Sequence, residues 1–351
     1  MRKKRTGTGI LVMLFLLTAL SGCAAVREEE KPSRLRVGIS VYNQYDTFID
    51  EMTTAIEEYV SVMENKYAVA ITLDIQSAGG SQSVQNDQVD TFIRKQYDVI
   101  CVNLVDRTDP SSIIEHARNA DIPIIFYNRE LVEEDLLRWD KLYYVGADAF
   151  ESGILQGEIL IERLKSDWES VDRNGDGVIQ YVMLEGEAGH QDSIVRTMYS
   201  VDTVTGAGYD VEKLGDGIAN WNRDQARTRM KQWIGEYKDS IEVVFSNNDD
   251  MAMGAVDALM EAGYYEEGDR RPPVVLGVDG TVHAKEMVDE GYILGTVIND
   301  AVGQARALLE LAYALKAGTD LPQEYRLEQG RYIRLPYKIY EREGAEESTA
   351  E

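Results

Sequence analysis

The chain of 351 residues carries 62 Asp and Glu against 36 Lys and Arg, a formal net charge of −26. So acidic a surface repels phosphate backbones and anionic headgroups, which excludes nucleic acid and anionic lipid surfaces as partners. The length also exceeds what one hydrophobic core ordinarily fills, so two lobes are expected.

The first segment reads as an address. Met1-Arg-Lys-Lys-Arg5 is a positive n-region, residues 10–20 are apolar, and Leu20-Ser-Gly-Cys23 has the small residues of a cleavage site. The apolar run is about half of the roughly 20 residues that span a bilayer. Residues 1–22 therefore read as an export signal, with Cys23 lipid-modified as in a bacterial lipobox and residues 23–34 a polar tether. An uncleaved anchor with an incidental cysteine is the blander alternative. The protein is expected outside the cytoplasm, lipid-anchored to the outer face of the cell membrane or to the periplasmic face in a Gram-negative cell. With Cys23 so used, Cys101 is left alone in the run Val99-Ile-Cys-Val-Asn103, where a buried inert thiol is expected.

From residue 35 strand and helix alternate. Residues 35–42 are an apolar strand, 47–65 an amphipathic helix, 69–75 a strand and 83–95 a helix. Strands at 98–105 and 122–127 flank a helix at 110–119, and a helix covers 150–165. Then come strand 178–184, helices 192–203 and 224–236, strand 241–245, helix 252–262, strands 274–278 and 293–298, and helix 302–316. This rhythm predicts an α/β fold with parallel sheets wound by right-handed crossovers, whose ligands bind at the carboxyl ends of the strands.

Residues 172–180, Asp-Arg-Asn-Gly-Asp-Gly-Val-Ile-Gln, read as a calcium loop. Asp172, Asn174, Asp176 and Gln180 stand at loop positions 1, 3, 5 and 9, Gly177 at the sharp turn, and Val178 offers its carbonyl at position 7. Position 12, normally a bidentate Glu, is Met183 in a predicted strand, so a further carboxylate must come from a distant residue.

Polar groups recur after the strands: Asp46, Asn103, the stretch from Gly186 to Arg196 with His190 and Asp192, Asn248, Asp279 and Asn299. Each alone is an ordinary helix cap or turn former. Their recurrence at corresponding places, with Phe48 and Trp221 nearby, predicts a polar ligand in a cleft between the lobes. Planar donors and acceptors beside aromatic faces suit the hydroxyls and C–H faces of a sugar.

These residues fall within segments that identify a family. Gln85-Asn-Asp-Gln88, Val102-Asn-Leu-Val-Asp106, Tyr143-Tyr-Val-Gly-Ala-Asp148, Glu151-Ser-Gly-Ile154, Asn247-Asn-Asp249, Met251-Ala-Met-Gly-Ala255 and Gly295-Thr-Val-Ile-Asn-Asp300 occur in that order. From about Arg36 to Tyr337 the chain resembles the galactose/glucose-binding proteins of bacterial sugar uptake, which are type I periplasmic binding proteins. The resemblance implies two Rossmann-like lobes, residues 35–127 with 299–333 and residues 128–298 with 334–342, joined by a hinge of crossing segments. Residues 343–351 form an acidic tail.

It implies D-galactose or D-glucose as ligand, handed to an ABC permease, with a chemotaxis receptor as a further candidate partner. Asp46 would meet the sugar's 4-hydroxyl, Phe48 and Trp221 would sandwich the pyranose, and Asn103, His190, Asp192, Arg196, Asn248, Asp279 and Asn299 would supply the remaining hydrogen bonds. Arg196 lies one helical turn after Asp192, so the two can pair. Glu242, in Ile241-Glu-Val-Val244, would be the missing ligand of a structural Ca²⁺. The chain departs from the family pattern at Gln44, Tyr45, Asp250 and Gly280, which puts the choice of hexose in doubt.

Other classes fit less well. A glycosidase would need a working carboxylate pair, and the sequence has no Gly-x-Ser-x-Gly elbow, no Walker loop and only scattered His116, His190 and His283. No enzyme is expected. A repressor of the same body plan would carry a basic helix-turn-helix in place of the export signal. The remaining alternative is the same fold binding another monosaccharide or a signal molecule, as the sensing component of a membrane receptor.

Overall fold

The computed structural model describes residues 32–266 and 271–342. The expected signal segment, Cys23 and the acidic tail 343–351 lie outside the described residues. In chain order the first part runs β1 (Arg34–Val41), α1 (Thr47–Tyr67), β2 (Ala70–Ser77), α2 (Gln82–Arg94), β3 (Val99–Val102), α3 (Ser111–Ala120), β4 (Ile124–Tyr127), the single turn α4 (Glu133–Leu136) and β5 (Leu142–Ala147). The second part runs α5 (Ala149–Ser166), α6 (Trp168–Val171), β6 (Ile179–Glu185), α7 (Gln191–Gly206), β7 (Val211–Ile218), α8 (Arg223–Tyr237), β8 (Val243–Ser246), α9 (Asp249–Glu261), β9 (Val274–Asp279), α10 (Val282–Asp289) and β10 (Gly295–Ile298). Then α11 (Ala301–Ala317) returns to the first part and packs on α1, followed by β11 (Tyr332–Leu335) and β12 (Lys338–Glu341).

Two six-stranded sheets result, ordered β11-β5-β4-β3-β1-β2 and β12-β10-β9-β8-β6-β7. Every pairing is parallel except that of β10 with β12. Parallel strands covered on both faces are continuous apolar runs; β3 and β4, Val-Ile-Cys-Val and Ile-Ile-Phe-Tyr, are buried throughout. Cys101 is free and fully buried among them. Each sheet has a core on either face, the first built with α1 and α11 on one side and α2 and α3 on the other.

Two expected boundaries move. The break placed after residue 127 falls one strand early, because β5 pairs with β4 and completes the first sheet. The break at 333/334 falls inside β11, which lies beside β5. The chain thus passes between lobes at 147–149, 298–301 and 335–338. In each sheet the strand order reverses around one strand, β1 in the first and β6 in the second. The crevice at such reversals, outside the carboxyl ends of the strands, is where open α/β sheets hold ligands.

Candidate functional site

A narrow cavity of about 30 Å³ lies between the carboxyl ends of the two sheets. The first lobe contributes Tyr42, Asp46, Phe48, Asn128 and Arg129; the second contributes His190, Asp192, Arg196, Trp221, Asn248 and Asp279. Eight of the ten residues expected at the ligand are thereby brought to one wall-to-wall space. Helix starts place three of them. Asp46 caps α1 by accepting the Ile49 N–H at 3.0 Å, His190 caps α7, and Asn248 caps α9 by accepting the Met251 N–H at 3.0 Å. The cap reading and the site reading therefore hold together, since a capping side chain keeps other polar positions for a ligand.

The second-lobe wall is electrostatically organised by Arg196, which is 3% exposed. It donates to Asp192 Oδ2 at 3.0 Å, to the Asn247 carbonyl at 2.7 Å and to Ser152 Oγ at 3.2 Å, and it lies 3.5 Å from Asp279 Oδ1. One guanidinium so fixed orients two carboxylates. Burial raises the pKa of Asp192 while Arg196 opposes the rise. Burial likewise pushes Asp279 well up against the pull of Arg196. His190 accepts the Asp192 N–H on Nδ1 at 3.1 Å, which leaves its own proton on Nε2. Burial and the nearby Arg129, Arg196 and Arg107 cations hold its pKa well below the usual range, so the ring is neutral.

Trp221 takes a left-handed backbone (φ 62°), its ring edge-on to His190 at 5.1 Å. Gly186 leaves room for the indole: a Cβ there would meet Cη2, Cζ2 and Cζ3 at under 3.0 Å. Asp279 is also left-handed (φ 119°). Such strain in non-glycine residues collects at ligand sites, where the surrounding structure imposes it.

The family profile for the periplasmic binding protein domain matches residues 37–320. The chain belongs to the periplasmic binding protein family. It is 33% identical to the D-galactose/methyl-galactoside binding periplasmic protein of Haemophilus influenzae over 86% of this chain and 88% of that protein. It is 30% identical to a xylitol-binding protein of Mycolicibacterium smegmatis over 86% and 78%. Among solved structures, an ABC transporter solute-binding protein of Bacillus halodurans with bound myo-inositol is 28% identical, with a TM-score of 0.71 over 89% of this chain and 96% of that one. Members of the family are solute carriers that work outside the cytoplasm, not enzymes. Among the described residues no helix is long and apolar enough to cross a membrane.

In this binding protein Asn103 and Asn299 lie off the cavity wall. Asn103 is fully buried, its Oδ1 accepting the Tyr42 N–H at 3.3 Å and its Nδ2 donating to the Tyr127 carbonyl at 3.2 Å and Asn128 Oδ1 at 3.1 Å. It ties together the ends of β1 and β4. Asn299 accepts from Gln304 Nε2 at 2.6 Å. Tyr42, Asn128 and Arg129 were not anticipated. The last two directly follow β4, so the strand-end rule, applied to the strand at 122–127 as to its neighbours, points to them.

The loop 172–180 folds back on β8 at the far end of the second sheet. Asp172 accepts the N–H groups of Gly175 and Gly177, and Glu242, 1% exposed, accepts those of Arg173 at 2.7 Å and Gln180 at 3.1 Å. Asn174 donates to Gln180, which donates to Asp176. Among the described residues no three His, Cys, Asp or Glu side chains are gathered as a metal cluster. The donor set of carboxylates, amides and the Val178 carbonyl is nonetheless all oxygen, which fits a hard cation such as Ca²⁺ and not a thiolate- or imidazole-seeking metal.

Proposed function

We propose that this periplasmic binding protein captures a monosaccharide, D-galactose or D-glucose, by closure of its lobes and delivers it to an ABC permease. The observation that carries the reading is the cavity wall: neutral His190 Nε2–H and Arg196 as donors, Asp46, Asp192 and Asp279 as acceptors, Asn248 as both, with Trp221 and Phe48 as ring faces. Aromatic faces cover the C–H faces of a pyranose, and paired donors and acceptors meet its hydroxyls. Binding needs no bond to break and no group to titrate. Sugar would draw the lobes together in proportion to its preference for the closed state.

Two departures from the family pattern, Asp250 and Gly280, lie close in sequence to the wall residues Asn248 and Asp279 but do not line the cavity. Asp250 accepts from Thr47 Oγ1 across the cleft at 2.5 Å, and Gly280 (φ 70°) lies against Ile298, where any Cβ would collide. Isothermal titration with D-galactose, D-glucose, D-allose, xylitol and myo-inositol tests the proposal. Sub-millimolar binding of galactose or glucose supports it. Binding of another of these, with neither hexose, replaces the ligand; binding of none overturns the sugar reading.

We further propose a structural Ca²⁺ held by Asp172, Asn174, Asp176, Val178, Gln180 and Glu242. The buried Glu242 carboxylate, raised in pKa by desolvation, supports it, because a bound cation would compensate that charge. Attachment through lipid-modified Cys23 is proposed on the sequence of residues 1–23, with metabolic labelling by palmitate as its test. We also propose that the closed form is presented to a chemotaxis receptor, which swimming assays test.

A further inference from the structure

We infer that Asp249, fully buried behind the cavity wall, is a positioning residue for Asp279: it holds the left-handed turn that aims the Asp279 carboxylate at the ligand. The inference deepens the sugar-binding reading above and rests on it. Asp249 opens α9 beside the wall residue Asn248, but the capping of that helix falls to Asn248. The oxygens of Asp249 reach two other elements instead. Oδ2 accepts the Thr281 N–H at 2.7 Å, at the start of α10, and Oδ1 accepts the Thr296 hydroxyl at 2.6 Å, on β10. Thr296 Oγ1 in turn accepts the Gly280 N–H at 3.3 Å. One carboxyl group thus secures, directly and through a hydroxyl, the two N–H groups that follow Asp279.

That turn needs holding. Asp279 (φ 119°) and Gly280 (φ 70°) both take left-handed backbone, and in an aspartate such a φ persists only where the surroundings impose it. Room for the holder is built into the sheet. Gly277 on β9 pairs with Thr296 on β10, and a Cβ on Gly277 would overlap Asp249 Oδ1. The charge of the holder bears on Asp279 as well. Burial raises the pKa of Asp249 to about 7 while its bonds to Thr296 and Thr281 oppose the rise, so in mildly acid solution it is neutral. Burial also lifts the pKa of Asp279, Arg196 opposes that, and a charge on Asp249 would lift it further. A neutral Asp249 therefore leaves Asp279 the better hydrogen-bond acceptor.

The test is titration calorimetry at pH 6 with whichever sugar the wild-type chain binds and its single-deoxy analogues. Asp279→Ala identifies the hydroxyl that Asp279 meets: its removal is penalised about tenfold or more in wild type and less than about twofold in the variant. Thr296→Val keeps the shape of the strand residue but cuts the link to Gly280. It should shrink that one penalty by about threefold or more and leave the others within about twofold. Asp249→Ala should do the same, and combining it with Asp279→Ala should cost little further affinity, as for residues that act as one unit. Asp249→Asn, shaped like the acid and uncharged like its protonated form, should recover the penalty. A merely structural Asp249 would weaken all analogues alike. An unchanged penalty or a uniform loss in Thr296→Val overturns the inference, as does failure of Asp279→Ala to single out a hydroxyl. Should the wild-type chain bind no sugar, the sugar reading fails by itself, and hydrogen exchange by mass spectrometry then decides the positioning. Exchange of the 279–281 turn about tenfold faster in Thr296→Val supports it, and equal exchange refutes it.

Discussion

Gly186→Ala offers the sharpest test of the stacking face, because it touches the indole without altering any polar group of the cavity. The new methyl would lie under 3.0 Å from three indole atoms. Ordinary carbon contact is about 3.5–4.0 Å, so the ring must retreat by about 1 Å or tilt. Tilting is resisted: the Trp221 carbonyl accepts from Asn248 Nδ2 at 3.4 Å, and the ring lies against His190. A retreat that frees about 40 Å² of apolar contact with the sugar costs about 1 kcal/mol. Loss of the ring's face-on geometry removes about another 1 kcal/mol. Together these weaken affinity about thirtyfold. Titration calorimetry reads the constant, and circular dichroism should show an intact fold, since Gly186 sits in the loop after β6. Affinity within twofold of wild type would mean that Trp221 does not stack on the ligand.

The other expectations are more direct. Trp221→Ala should lower affinity by at least a hundredfold in the same titration, and equal affinity would remove the aromatic sandwich. Chelation with EGTA should lower the melting temperature, as loss of a ligand bound only by the native state must, while sugar affinity changes by less than about twofold. Burial raises the pKa of Asp249 to about 7. The folded state therefore keeps a proton that the unfolded state has released, and this group's contribution to stability falls as pH climbs from about 4 to about 7. His190, whose folded pKa is depressed, acts oppositely: its contribution grows as pH rises towards its unfolded value near 6.5. Denaturant melts of His190→Gln should consequently show stability falling more steeply between pH 4 and 6.5 than in wild type, and an identical slope would refute the neutral histidine.

What the sequence disclosed follows the physics of parallel sheets. Runs such as Val-Ile-Cys-Val and Ile-Ile-Phe-Tyr admit few other homes, and the polar residue ending each run is legible as a ligand position. Three of the four missed strands lack that signature, whereas β5, Leu-Tyr-Tyr-Val-Gly-Ala, carries an apolar and largely buried run that the sequence reading passed over. β7 contains Gly215, Asp216 and Gly217 and is largely solvent-facing, so no apolar run marks it. β12 is an exposed edge strand, and β11 is four residues whose pairing with β5 depends on chain returning from the other lobe. Asn103 shows the opposite failure. It ends an apolar strand as the rule requires, but its amide is consumed in tying β1 to β4, a tertiary demand that residue type alone does not reveal. Arg129 was hidden because its partners, Tyr42 and Glu187, lie 87 and 58 positions away.

The separation between loop 172–180 and the cavity follows from where each meets the same two strands. Loop 172–180 runs into β6 and Glu242 precedes β8, so the proposed ion sits at the strands' amino ends. Gly186 to Arg196 follow β6 and Asn248 follows β8, so the ligand residues sit at the carboxyl ends. A seven-residue strand rising about 3.3 Å per residue puts roughly 20 Å between them. Arg173 Nη1 and Nη2 reach the carbonyls of Arg271 and Ile241, clamping the loop to the start of β8 without any ion. Strands buried on both faces, as β6 and β8 are, transmit rigidity rather than displacement. The loop is therefore built to hold the register of β6 against β8, which fixes where Asp192 and Asn248 emerge.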